Sequence, residues 1–155
     1  DKEGFSGNDG RTTIFDYWSV DTMVRLHGRK LMKDQKALAL IYNKVMNIAR
    51  TEKAVIEGIS FDLMYVNGDY HRQYAFLRKA GSEVLLVVAN FDDLPATMDV
   101  TLPAHAFDYL KLKERKSVTA VDLLSGKEIK RTLTRDCYVS VDIEPLGAVI
   151  LKFKA

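Results

Sequence analysis

The chain has 155 residues, 47% hydrophobic and 28% charged, a composition that excludes a disordered segment and is that of a folded globular domain. Lys plus Arg number 23 against 21 Asp plus Glu, a net charge of +2. That balance excludes a nucleic acid or a membrane surface as the expected partner. The single cysteine, Cys137, leaves no internal disulfide to form. In the alternating run Cys137-Tyr138-Val139-Ser140-Val141 it reads as a small buried hydrophobe. No apolar stretch reaches the roughly 18 residues that would span a bilayer. The chain opens on Asp1 and not on Met, so it reads as a fragment, and its compartment stays open.

Residues 1–33 read as a loop-rich opening. Gly4, Gly7 and Gly10 lie among Ser6, Asn8 and Asp9, and Thr13-Ile14-Phe15-Asp16-Tyr17-Trp18 follows. Asp21 or Thr22 is placed to cap a short helical turn through Leu26 that Gly28 stops. From Asp34, read as an N-cap, to about Thr51 the pattern is helical. Leu38, Ile41, Val45 and Ile48 recur at spacings of three and four, and Leu40 and Tyr42 widen the apolar surface beyond one stripe.

After Gly58 the period falls to two. Strands are expected near Ile59–Val66, Tyr74–Lys79, Val84–Asn90, Met98–Leu102, Val118–Asp122, Glu128–Leu133, Tyr138–Ile143 and Ala148–Phe153, separated by Gly, Pro, Asn and Asp turn signals. Tyr74–Lys79 and Val84–Asn90 form a hairpin across Gly81. The second of them is apolar throughout, so it belongs in the middle of a sheet. Residues 104–113 interrupt the alternation and read as a short helix or covering loop. The fold class is therefore mainly β: a Greek-key sandwich of about eight strands, preceded by a loop-rich segment and one long amphipathic helix.

Three stretches together resemble the end of the α-amylase family, glycoside hydrolase family thirteen. Residues 3–18, from Glu3 to Trp18, are similar to the loop after the last barrel strand. Leu40–Arg50 followed by Ala54-Val55-Ile56-Glu57-Gly58 resembles the last barrel helix and the Pro-Ala-Leu, two residues, Gly segment after it, with Lys53 in the place of Pro. Tyr74–Lys79 with Glu83–Phe91 resembles the opening hairpin of that family's C-terminal domain. The resemblance implies that residues 1–57 are the tail of a (β/α)8 barrel and residues 58–155 a C-terminal all-β domain. It also implies a parent enzyme that is a retaining α-glycosidase using an Asp nucleophile, a Glu acid/base and a second Asp. Those carboxylates belong upstream, so no catalytic residue is assigned here.

The residues themselves offer few sites. Asp16, Tyr17 and Trp18, beside Phe15, combine flat rings with a carboxylate, the chemistry of a sugar platform. They are the candidate substrate-binding residues, weighed against simple packing. Gly7-Asn8-Asp9-Gly10 fails the calcium-loop test, because Phe5 and Gly7 stand where oxygen ligands are needed. His27, His71 and His105 lack zinc-site spacing, and neither a metal nor a cofactor is expected. Asp62, Asp122 and Asp142 read as solvent-facing strand residues. The groups Arg29, Lys30, Lys33 and Lys111, Lys113, Arg115, Lys116 read as solvated faces.

The expected role is a non-catalytic C-terminal portion that packs on and stabilises the catalytic barrel of an α-glucan-acting enzyme. The helix stripe should then fold onto the sandwich or be buried in a second copy, giving a possible dimer. The alternative is a glucan-binding sandwich presenting some of Tyr65, Tyr70, Tyr74, Tyr109 and Tyr138. A protein-interaction domain of the same architecture is the third reading.

Overall fold

The computed structural model describes residues 23–153. They fall into two compact units, divided between Asn43 and Lys44. In the first, a helical turn at 23–27 closes where the Gly28 N–H donates to the Val24 carbonyl at 2.9 Å. Asp21 and Thr22 lie outside the described residues. Helix α1, Lys33–Thr51, starts in this unit. Asp34 falls inside its first turn and so is not the cap. There its carboxylate favours the positive end of the helix dipole, and the Gln35 side chain takes the Met32 N–H at 3.1 Å.

The second unit holds the rest of α1 and the β domain. A one-turn helix α2, Lys53–Ile56, leads into β1 (Ile59–Asp62), and the strands continue as β2 (Gln73–Ala80), β3 (Glu83–Asn90) and β4 (Ala96–Leu102). Helix α3 (Ala104–Leu110) then precedes β5 (Arg115–Asp122), β6 (Glu128–Leu133), β7 (Cys137–Ile143) and β8 (Ala148–Phe153). Among the described residues, six of these strands form one sheet in the order β1-β2-β3-β8-β5-β6, and β4 pairs with β7 in a second. The expected sandwich of eight strands is borne out.

Strand β3 lies between β2 and β8, as its continuous apolar run requires. Leu85, Leu86 and Val88 are fully buried. The interior lies between the layers, where Leu77 and Leu86 of the large sheet meet Met98, Val100 and Val139 of the small one and Phe107 of α3. Residues 104–113, open between helix and loop in the sequence, hold α3. Ala106, Phe107 and Leu110 form its buried face.

Two expectations need correction. The first strand stops at Asp62 and not at Val66. Asp62 Oδ1 accepts the Met64 N–H at 2.8 Å and starts a 3-10 turn over Met64–Val66. The buried Asn67 side chain then fixes that turn, donating to the Leu63 carbonyl at 2.7 Å and accepting the Thr101 N–H at 2.9 Å. Asp122 is the second. It shares strand parity with the inward Val118 and Ala120 and is 6% exposed, not solvent-facing. Its carboxylate accepts the N–H groups of Leu124, Ser125 and Ile150, which tie the β5–β6 turn to β8. Asp62 and Asp142 are exposed, as read.

Candidate functional site

The segment Ala54–Gly58 joins α1 to the β domain, and three strands supply side chains that hold it. Arg78 of β2 donates from Nε to the Ala54 carbonyl at 2.6 Å. Its Nη2 reaches the carbonyls of Val55 at 3.0 Å and Gly58 at 2.7 Å. Ala54 and Val55 lie in a one-turn helix, which leaves its carbonyls without intrahelical partners, and a planar cationic fork satisfies them together with that of Gly58. Glu83 of β3 works on the other end of α2, accepting the Ala54 N–H at 2.8 Å. Lys152 of β8 pairs with Glu83 at 2.9 Å and with Glu52, the residue that opens α2.

Burial favours neutral forms for Glu83 and Lys152, yet the pairing outweighs it in both. The Ala54 N–H and Lys152 hold the Glu83 carboxyl below the usual range, and Glu52 and Glu83 push Lys152 up. The small residues of the segment are as specific as the charged ones. Ala54 is fully buried, and a Cβ built at Gly58 would stand 2.1 Å from the Ala54 carbonyl oxygen. The Ala…Gly spacing read in the sequence is thus a close backbone approach.

Upstream of this joint, α1 carries its apolar surface in the open. Leu38, Ile41 and Val45 are 56%, 57% and 41% exposed, and Ile48 is buried. Leu40, Tyr42 and Met46 are exposed as well, so the apolar surface covers more than one stripe.

A second feature is an aromatic patch on the β domain. Phe61 of β1 lies at the centre of three rings, with centroids 6.1 Å from Tyr65, 5.5 Å from His105 and 5.6 Å from Tyr109. Phe61 is buried, whereas Tyr65, His105 and Tyr109 are exposed. Tyr65 and Tyr109 are two of the five tyrosines considered from sequence; the other three are elsewhere. Tyr70 packs on the interior and its hydroxyl accepts the Asp99 N–H at 3.0 Å. The Tyr74 ring lies 5.9 Å from that of Phe76, tilted by 47°, and Tyr138 is exposed on β7.

The candidate platform residues Asp16, Tyr17 and Trp18 lie outside the described residues. Cys137 is half-buried against the interior. Among the described residues, no three His, Cys, Asp or Glu side chains gather where a metal could be held. Sequence reasoning did not single out Arg78, Glu83 or Lys152.

With this geometry in view, comparison with known proteins settles the family. The model of the α-amylase C-terminal all-β domain matches residues 65–154. The chain belongs to that family. The α-amylase C-terminal domain so identified runs from the 3-10 turn through β8, and the resemblance drawn from the hairpin Tyr74–Phe91 is borne out. Among solved structures, an Anoxybacillus α-amylase superposes with TM-score 0.54 at 17% identity, over 76% of this chain and 22% of that one. The α-amylase of Geobacillus thermoleovorans, complexed with acarbose, gives 0.53 at 14% identity, over 72% and 22%. AmyP in complex with maltose gives 0.56 at 19% identity, over 79% and 21%. At these identities the likeness is one of fold. The chain spans about a fifth of the length of these structures. No curated protein matches it.

Proposed function

We propose that this chain is the non-catalytic C-terminal portion of an α-amylase-like glycosidase acting on α-glucans, and that it packs on and stabilises the catalytic barrel. In this reading residues 1–57 are the end of the (β/α)8 barrel and residues 58–155 the C-terminal domain. The observation that carries it is the exposed apolar surface of α1, continuous in sequence with a joint built to hold the helix end. Leu38, Ile41 and Val45 together present an exposed apolar stripe, the kind of surface that marks an interaction site. The barrel of the same polypeptide is its natural cover, and a second copy of this chain covers it when the barrel is missing.

The parent enzyme on this proposal is a retaining glycosidase whose Asp/Glu/Asp set lies upstream of this chain. The test is calorimetric titration of the 155-residue chain with maltoheptaose and soluble starch, beside a hydrolysis assay. No saturable heat and no hydrolysis are expected.

The patch around Phe61 favours one other reading, a glucan-binding sandwich, because Tyr65 and Tyr109 offer exposed rings beside a buried one. Saturable glucan binding lost in Tyr65→Ala and Tyr109→Ala would establish that reading. Binding lost in Trp18→Ala would move the platform to Asp16, Tyr17 and Trp18.

A further inference from the structure

The open end of the sandwich holds a cavity of about 260 Å³ whose mouth is cationic and whose floor is apolar. Strand register explains the floor. Val84 pairs with Phe153 of β8, and both face inward; Lys79, which Val84 pairs with across the β2–β3 hairpin, shares that face and stands at the rim. Leu112 and Leu133 enter from the segment after α3 and from β6, and both are buried.

The mouth is drawn from three separate segments. Lys79 comes from the end of β2, Lys111 and Lys113 from the turn after α3, and Arg115 from the start of β5. Lys111 has φ +53°, a left-handed conformation that ends α3 and leaves Lys111 and Lys113 exposed on either side of the buried Leu112.

No Asp or Glu lines this cavity among the described residues. The acids nearest in sequence have hydrogen-bonding partners outside the cavity, and Asp108 also lies within electrostatic reach of Lys111. Glu83 accepts the Ala54 N–H and pairs with Lys152, and Glu114, between Lys113 and Arg115, pairs with Arg135 together with Asp108. Three lysines, Lys79, Lys111 and Lys113, therefore converge on one opening with no Asp or Glu among its lining described residues, in a chain of nearly balanced charge. A concave wall of low polarity strengthens the field of such a set, so the opening attracts anions.

We infer that this cavity binds a small amphipathic anion, with its carboxylate or phosphate head at the lysines and a short apolar body on Leu112, Leu133 and Phe153. At about 260 Å³ the space lies just below the size usual for drug-sized ligands, which limits the body to a short chain or a single ring. The site is independent of the barrel-packing role proposed above, because its residues are those of the β domain alone.

The test is titration of the full 155-residue chain with octanoate, octyl phosphate, inorganic phosphate and the neutral octyl glucoside, followed by calorimetry and by methyl shifts of Leu112 and Leu133. At least one alkyl anion is expected to bind saturably, tenfold or more tighter than octyl glucoside and inorganic phosphate, and to weaken as salt screens the mouth. A preference between the two alkyl anions names the head group. Lys111→Gln with Lys113→Gln, both exposed and so compatible with folding, should weaken binding at least tenfold, whereas Lys130→Gln on β6 should not. Absence of saturable binding, equal affinity for octyl glucoside, inorganic phosphate binding as tightly as the alkyl anions, or unchanged affinity in the double variant would each overturn the inference.

Discussion

Arg78 and Ala54 are bound across 2.6 Å, the guanidinium Nε of a strand donating to the last fully buried carbonyl-bearing residue before the β domain begins. Because the same side chain also serves Val55 and Gly58, its loss strips several carbonyls at once. Arg78→Ala should cost about 2–3 kcal/mol of unfolding free energy. Arg78→Lys should recover only part of that, since an ammonium lacks the planar fork. Urea unfolding followed by far-UV circular dichroism measures both.

Gly58 tests the close approach from the other side. A Cβ there would stand 2.1 Å from a backbone oxygen, and the three nearest atoms are all Ala54 backbone, so no flexible side chain can turn away. Gly58→Ala should therefore destabilise by about 1–3 kcal/mol, as other overpacked sites do. By contrast Gly81→Ala meets open space, so its cost, about 1 kcal/mol, is the backbone strain of φ +56° alone. The difference in urea midpoints between the two variants is the readout.

Acid should weaken the domain through Asp122 and Glu83. Burial pushes the Asp122 carboxyl up, but the Ser125 hydroxyl and the N–H groups of Ile150, Leu124 and Ser125 outweigh it and hold it below the usual carboxylate range. The folded value then lies below the unfolded one, so the unfolded chain binds the proton first. The stabilisation is fully present above the unfolded value, near 4, and is lost as pH falls through the folded value. Asp122→Asn should lower the melting temperature at pH 7 and flatten its fall below about pH 5. Lys152 has the opposite sign. Burial lowers it, Glu52 and Glu83 raise it further, and its contribution is lost only as strongly alkaline pH passes through the folded value.

Leu86 is fully buried at the middle of the central strand, paired with Leu77 on one side and Leu151 on the other. Leu86→Ala should cost about 2–5 kcal/mol by leaving a cavity that the two flanking strands are too well fixed to fill. Guanidinium unfolding checks it.

Most strands were legible because a two-residue period survives in one chain regardless of its partners. Val84–Asn90 announces a central strand by itself, and Gly81 announces its turn. Which strands become neighbours does not follow from period, and β8 entering between β3 and β5 is a tertiary choice. Asp122 was misread although its parity with Val118 and Ala120 marked it locally as inward; only its partner at Ile150 is far along the chain. The helix joint was half visible. Ala54 and Gly58 stood out as a motif, while Arg78, Glu83 and Lys152 gained meaning only when three strands brought them to it. Likewise Lys79 joins Lys111 and Lys113 only in the folded domain, where they line one cavity and are no longer three unrelated solvated charges.

The most direct measurement is calorimetric melting of a polypeptide that carries both the catalytic barrel and this region, with Leu38→Asp and Ile41→Asp introduced together. If α1 packs on the barrel, the charges are buried against it, and the barrel transition should fall by roughly 5–10 °C while the β-domain transition stays in place. An unchanged barrel transition would contradict the packing role and leave the exposed face of α1 without the partner proposed for it.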